Sequence, residues 1–416
     1  MLLRPTMSET DLMNVNERRK YLHKMWGRYR KADKNEKTRL LDEIEAVTGL
    51  HRKTIIRTIN GRLSRKKRTR ERGREYGIEV DDAIRVIARS LDYPCAERLQ
   101  PNLVWMAVQL RAHGELLVRP ETVEKLGRVS VSTVKRILKR VGRSEPKIAS
   151  QKPKRPSSPS LRKPYPMSRI DWDIAEAGHL EVDLVHHCGG SVNGEYIHGL
   201  QAVDVASGWC GIVPIFGRSF RAMADGFDYL LARLPFPVIE IHPDNGGEFF
   251  NQFLLRYFRT KLPNLYLSRS RPYQKNDNRF VEENNHSLLR AYLGHGRFDT
   301  LEHLNILRPL YEKLWLYHNL FQPVMRLQSK EYVSPLLYRR KFNPAKPPLD
   351  RLIELKCLDD TQQNLLEELR NTTNPMALRD QINNLISQLV YLPTLEDSQS
   401  VNVFDTLIKE MDITLR

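Results

Sequence analysis

The stretch 172–320 constrains the fold most, because its apolar periodicity changes along the chain in a fixed order. HLEVDLVHH (179–187) alternates with period two, as a strand does. EYIHGLQAVDVA (195–206) and GWCGIVPIF (208–216) follow as strands separated by a Ser-Gly turn. RAMADGFDYLLARL (221–234) has helical spacing, PVIEIHP (237–243) is a short buried strand, and NQFLLRYFRTKL (251–262) is helical again. LYLSRS (265–270) then reads as a strand and NRFVEENNHSLLRAYLG (278–294) as a helix. Three strands with short links form an antiparallel meander, whereas strands reached through helical crossovers lie parallel to their neighbours. The expectation is a mixed five-stranded sheet with helices on both faces.

With 416 residues the chain exceeds one ordinary core, so several domains are expected. Residues 16–61 read as three helices. KNEKTRLLDEIEAVTGL places Leu40, Leu41, Ile44, Val47 and Leu50 at helical spacing, Gly49 breaks the run, and HRKTIIRTING resumes it with Ile55, Ile56 and Ile59. A helix, a short Gly-containing turn and a second helix form a helix-turn-helix pattern, with Arg52, Lys53 and Arg57 on the exposed part of the second helix. LSRKKRTRERGR (63–74), which includes Lys66, Lys67 and Arg68, holds seven basic residues and one acid and reads as an arm that tracks phosphates. ETVEKLGRVSVSTVKRILKRVG repeats the two-helix pattern, with Val134, Ile137, Leu138 and Val141 apolar and Lys135, Arg136, Lys139 and Arg140 off that face. The division is therefore 1–66 (helix-turn-helix), 67–143 (second helix-turn-helix with its basic arm), 144–170 (basic Pro/Ser linker), 171–325 (α/β core) and 326–416 (a basic segment followed by acidic helices).

The net charge of +17 points to a polyanionic partner, because each neutralised phosphate releases counterions. The charge is uneven: residues 350–416 hold 12 acidic and 6 basic residues, a net of −6. That tail is expected to pack against protein, within a multimer, rather than to contact nucleic acid. Arg339, Arg340 and Lys341 lie ahead of it and are placed to contact nucleic acid after the core.

Three acids hold distinctive positions. Asp183 is mid-strand, Asp244 ends the fourth strand in HPDNGGEF, and Glu282 opens the last helix, with gaps of 61 and 38 residues. An ionised side chain in a strand interior is costly unless it is paired or bound to metal. If the first and fourth strands are neighbours, Asp183 and Asp244 come side by side, and a helix at the sheet edge can deliver Glu282. Converging carboxylates suit Mg²⁺ or Mn²⁺, and two such ions serve phosphoryl transfer.

EVD (181–183), PDNGGEF (243–249) and RPYQKNDNRFVEENN (271–285), in this order and spacing, resemble the catalytic core of DDE transposases of bacterial insertion sequences and of retroviral integrases. The resemblance covers about 172–325. It implies a ribonuclease-H-like fold, with Asp183, Asp244 and Glu282 as catalytic metal ligands for Mg²⁺ or Mn²⁺. It also implies nicking at transposon ends and joining of the freed 3′-OH to target DNA. The implied partners are double-stranded transposon ends and target DNA, acted on by a homo-oligomer at the bacterial nucleoid.

The sequence departs from the family in two places. His242-Pro243 stands where a small hydroxyl residue is common, and Glu283 follows Glu282, leaving two choices for the third acid. A Lys that often lies one turn after that acid is replaced by His286, with Arg290 a further turn along; these residues and Lys275 are candidate DNA contacts. Glu181, on the same strand face as Asp183, reads either as an acid supporting the site or as a solvated edge residue. Asp204 reads as a turn residue, and Glu248 as a cap or anchor for the following helix.

Two other function classes fit parts of the pattern: a transposase-derived DNA-binding regulator that no longer cuts, and a ribonuclease-H-like nuclease. Cys95, Cys188, Cys210 and Cys357 form no Cys-x-x-Cys pair, which argues for a reducing compartment. No apolar run approaches 18 residues and no signal-peptide pattern opens the chain, so a cytoplasmic protein without a membrane partner is expected.

Overall fold

The computed structural model describes residues 13–61, 75–141, 166–168, 170–171, 173–244, 246–271, 277–334, 337–394, 401–408 and 415. These fall into two compact units, one ending at Glu75 and the other spanning Tyr76–Arg416.

The first unit is three helices, α1 (Val15–Lys31), α2 (Lys34–Thr48) and α3 (Arg52–Ile59). Asn14 and Glu17 form a reciprocal capping box at the start of α1, and Asp33 caps α2. Gly49 ends α2 at φ 64°, a left-handed conformation that glycine adopts without steric penalty. Leu22, Met25, Leu40, Leu41, Ile44, Ile55 and Ile59 close the core between them.

The second unit opens with α4 (Ile78–Ser90), α5 (Ala96–Leu99), α6 (Leu103–Ala112), α7 (Pro120–Arg128) and α8 (Val131–Val141). A short strand, β1 (Met167–Ser168), precedes the meander β2 (His179–His186), β3 (Ile197–Asp204) and β4 (Cys210–Phe216). Then come α9 (Phe220–Ala232), β5 (Glu240–Pro243), α10 (Gln252–Lys261), β6 (Tyr266–Leu267) and β7 (Arg269–Ser270). Helix α11 (Arg279–Asn284) runs through a π-helical turn (Asn285–Arg290) into α12 (Ala291–Leu293), and α13 (Leu301–Leu320) follows. The chain continues as the hairpin β8 (Leu327–Ser334) and β9 (Leu337–Phe342), then α14 (Pro348–Leu355), α15 (Asp360–Thr372) and α16 (Pro375–Val390).

The main sheet has the order β4-β3-β2-β5-β6, antiparallel in the meander and parallel from β2 through β6. The strand types and their order are those the periodicity predicts. Helix α9 covers one face. The other carries α11, the π-helical turn and α13, because an added Cβ at Gly199 on β3 would meet Tyr311 and Leu289.

The helices at 78–141, the sheet and the C-terminal helices share one hydrophobic core. The predicted boundaries after 143 and 325 therefore do not coincide with breaks in packing. Polar ties reinforce this: Tyr317 Oη donates to the Ser90 carbonyl at 2.7 Å, and Asn102 Nδ2 to the Ala345 carbonyl at 3.0 Å. The acidic C-terminal helices bury an apolar stripe within their own chain. Met376, Leu378, Ile382, Ile386 and Leu389 of α16 are buried, with α16 packed on α13. Sequence charge did not reveal this because the acids lie on the outer faces.

Gly226, inside α9, marks a close approach of that helix to the sheet. A Cβ there would lie 2.8 Å from Ile215 Cγ2 and 3.1 Å from Leu200 Cδ2. Helix propensity alone favours Gly→Ala by up to about 1 kcal/mol. Overpacking a tight core costs about 1–3 kcal/mol, and the β-branched Ile215 has little freedom to yield. Gly226→Ala should therefore lower stability in a denaturant titration, and a stabilised variant would contradict this packing.

Candidate active site

The site is built where β5 ends beside the middle of β2. They pair in parallel register, His179 with Glu240, Leu180 with Ile241, Glu181 with His242 and Val182 with Pro243. Asp183 and Asp244 are the next residues on each strand. Alternation puts Glu181, Asp183, Glu240 and His242 on one face, the face that α11 crosses. Pro243 lacks an N–H, and it lies beyond the β5–β6 pairing, which stops at Ile241 with Leu267.

Asp244 Oδ1 accepts the Gly246 N–H at 2.7 Å, which turns the chain away from the strand. A side chain at 246 would collide with both neighbours: its Cβ would lie 2.8 Å from Asp244 Oδ1 and 2.7 Å from Glu248 Cδ. The glycine thus lets two carboxylates flank one backbone turn. Glu248 reaches Arg218 at 3.8 Å. It does not cap α10, contrary to the sequence expectation; Asn251 does, through Oδ1 to the Leu254 N–H.

Glu181 is buried, not a solvated edge residue, and its Oε2 accepts the N–H groups of Phe280 (2.7 Å) and Val281 (3.0 Å). Asn285 Nδ2, one turn past Glu282, donates to Asp183 Oδ2 at 2.6 Å. Helix and strand therefore run alongside each other for ~6–7 Å, the length of four helical residues or two strand residues. Sequence reasoning missed Asn285, although its spacing of three from Glu282 puts both on one helix face. Glu283 points elsewhere and pairs with Arg98 of α5 at 3.2 Å. Glu282, exposed, shares its face with the residue that touches Asp183.

Asp183, Asp244 and Glu282 offer only oxygen ligands, which suits a hard divalent cation such as Mg²⁺ or Mn²⁺. Asn285, bonded to Asp183 through Nδ2, has its Oδ1 buried with no hydrogen-bond partner among the described residues. Among those residues no three His, Cys, Asp or Glu side chains stand close enough to hold an ion. Asp183 and Asp244 are register neighbours, and Glu282 lies on the helix that Asn285 ties to Asp183.

Beneath Asp244 lies a buried polar chain. His242 Nδ1 meets Ser268 Oγ at 2.6 Å, Ser268 donates to Glu240, and Glu240 Oε2 meets His179 Nδ1 at 2.8 Å. Since the Ser268 proton goes to Glu240, His242 donates from Nδ1. Burial pushes the His242 imidazole below its ordinary range, whereas the Glu240 hydrogen bond raises that of His179. His242 is thus linked through Ser268, between β6 and β7, and Glu240 to His179 of β2. In the approach to α11, Arg271 grips the buried Asp277 with paired hydrogen bonds, at 2.8 Å from Nε and from Nη2.

The candidate nucleic-acid contacts fall into three groups. Lys53 and Arg57 on α3, and Lys135, Arg136 and Lys139 on α8, are exposed, as is His286. Arg52 pairs with Asp42, and Arg140 meets both oxygens of Asp81 at 2.7 Å. Arg290 donates to the carbonyls of His186 (2.7 Å) and Gly294 (3.0 Å), so its guanidinium secures the end of the helix. Lys66, Lys67, Arg68 and Lys275 lie outside the described residues. Asp204 does organise a turn, accepting from Gly178, Ser207 N–H and Ser207 Oγ. No helix among the described residues is long and apolar enough to cross a membrane.

No family model matches the chain. An uncharacterized protein of Sinorhizobium fredii, y4rM, is 32% identical over 328 residues, covering 78% of this chain and 91% of that protein. The chain belongs to the y4rM family. Among solved structures, the catalytic core domain of BIV integrase is similar at 16% identity and a TM-score of 0.29, over 44% of this chain and 97% of that one. For this y4rM-family member the site rests on its own geometry.

Burial pushes the Glu181 carboxyl up to about 7, against the pull of the Val281 and Phe280 N–H groups and of Arg279 and Arg326. The unfolded group titrates near its ordinary 4.5. Its raised folded value therefore favours folding fully below that pH, and the benefit is lost as pH rises to about 7. Glu181→Gln removes this titration. In metal-free buffer the variant should gain stability relative to wild type between pH 5 and 8, by up to about 3 kcal/mol. Parallel stability curves would contradict the assignment.

Proposed function

We propose that the protein is a DNA transposase of the DDE type, cutting at transposon ends and joining the freed 3′-OH to target DNA. The observation that carries this reading is the register that sets Asp183, midway along β2, beside Asp244 at the end of the parallel strand β5, under the helix bearing Glu282. Asp183, Asp244 and Glu282 would hold the divalent cations, Mg²⁺ or Mn²⁺. Held there, two such ions would supply activation of an attacking oxygen and stabilisation of the leaving oxygen of a phosphodiester.

The chain's own groups do the rest. Asn285 fixes the Asp183 carboxylate and the Gly246 N–H fixes that of Asp244. Glu283, ion-paired with Arg98, is left out of the site and Glu282 is the third ligand. Helices α7 and α8, separated by two residues, form a helix-turn-helix unit whose exposed Lys135, Arg136 and Lys139 face the duplex. Lys53 and Arg57 of α3 serve a second such unit. The β8–β9 ribbon presents exposed Lys330, Arg339, Arg340 and Lys341 to phosphates. Joining proceeds by attack of the 3′-OH on a target phosphorus, with release of a target 3′-oxygen that takes a proton from solvent. The protein acts as a multimer on paired ends.

Two measurements test this. Purified protein with Mg²⁺ should join an oligonucleotide carrying the element's end to a target plasmid, and Asp244→Asn should reduce joining more than about a hundredfold while duplex binding persists. Duplex binding with no metal-dependent cleavage in the wild type would leave the regulator reading instead. Lys139→Ala should weaken binding across sequences and reduce the slope of log K against log salt by about 1, as loss of one phosphate contact does. An unchanged slope would remove α8 from the interface.

A further inference from the structure

We infer that Glu181 is a positioning residue that caps α11 from β2 and thereby sets Glu282 relative to Asp183. The inference deepens the reading of Asp183, Asp244 and Glu282 as one site and rests on it. A helix start leaves its first N–H groups without intrahelical partners. In α11 the first N–H bonded within the helix is that of Glu282, to the Asn278 carbonyl at 3.0 Å. Phe280 and Val281 thus have donors to place. A local cap would come from Asn278, but its side chain makes no capping hydrogen bond, and its Oδ1 and Nδ2 are buried without partners among the described residues. Both donors go instead to Glu181 Oε2, on a strand some hundred residues upstream.

The arrangement is costly unless position matters. A buried carboxylate needs compensation, and two backbone N–H groups with Arg279 and Arg326 nearby supply it. A local Asn cap would have served the helix alone. A cap on β2 ties the helix to the strand that carries Asp183, two residues on and on the same face. Helix α11 has little rigidity of its own, being six residues that pass into a π-helical turn. With Asn285 gripping Asp183 at the other end, the helix is fixed at two points that bracket Glu282.

The competing role for Glu181 is a counter-charge for Arg279 and Arg326. Two variants separate the roles. Glu181→Gln keeps the length and an acceptor oxygen but loses the charge; Glu181→Asp keeps the charge but shortens the reach by one methylene. Amide hydrogen exchange at Phe280 and Val281 reads the cap without any metal or DNA. Expected are protection in Glu181→Gln within about threefold of wild type and exchange at least about tenfold faster in Glu181→Asp. Mg²⁺-dependent joining should follow, with kcat lowered about tenfold or more in Glu181→Asp, near wild type in Glu181→Gln, and KM for DNA unchanged in both. The opposite order, Asp retained and Gln lost, would overturn the inference in favour of the charge. Unaltered protection in both variants would also overturn it. If the exchange pattern holds while no protein joins DNA, the cap stands and the transposase reading falls.

Discussion

The parallel pairing of β2 with β5 is the constraint on which the site depends. It brings together residues 61 apart in sequence without using any side chain to do so. One residue of slip would turn Asp183 or Asp244 to the opposite face, beneath α9. The antiparallel pairing of β2 with β3 on the other edge, continuous from Leu180 to His186, holds β2 against such a slip.

The polar layer on the α11 side of the sheet then fills a role that apolar packing takes elsewhere. Glu181, Asp183, Glu240, His242, Ser268 and Gln201 all occupy inward or half-buried positions, and most are tied to a partner on another element. Such a layer is an expensive way to fill a core, because each group must be satisfied. It gives direction in return, since hydrogen bonds fix register and angle where aliphatic contacts do not. Gln201 carries this one strand further, donating to Asn284 of α11 at 2.8 Å.

Much of this was legible in the sequence, and for a physical reason. Period-two alternation in HLEVDLVHH and helical spacing in RAMADGFDYLLARL report local geometry, and the short or helical links between them restrict pairing to few topologies. Asp183 stood out because an acid mid-strand needs a reason. Glu181 leaves two readings open in the sequence, since an acid near a strand start is ordinarily solvated; the tertiary fold shows that the N–H groups of Phe280 and Val281 descend onto it. The roles of Arg52, Arg140 and Arg290 were hidden for the same reason, as their partners Asp42, Asp81 and the His186 carbonyl lie on other elements. The acidic tail packs against protein as its charge suggests, but net charge says nothing about which face is buried, and α16 turns its apolar stripe to α13. The resemblance favours Glu282 over the adjacent Glu283, and it is Glu283 that pairs with Arg98.

The central claim is that Asp183, Asp244 and Glu282 hold divalent cations. Electron paramagnetic resonance of Mn²⁺ titrated into the DNA-bound protein tests it most directly. The account predicts bound Mn²⁺ in the wild type and in Glu283→Gln, with binding weakened at least about tenfold in Asp183→Asn, Asp244→Asn and Glu282→Gln. Binding that survives Glu282→Gln but fails in Glu283→Gln, or that ignores both aspartates, would contradict it.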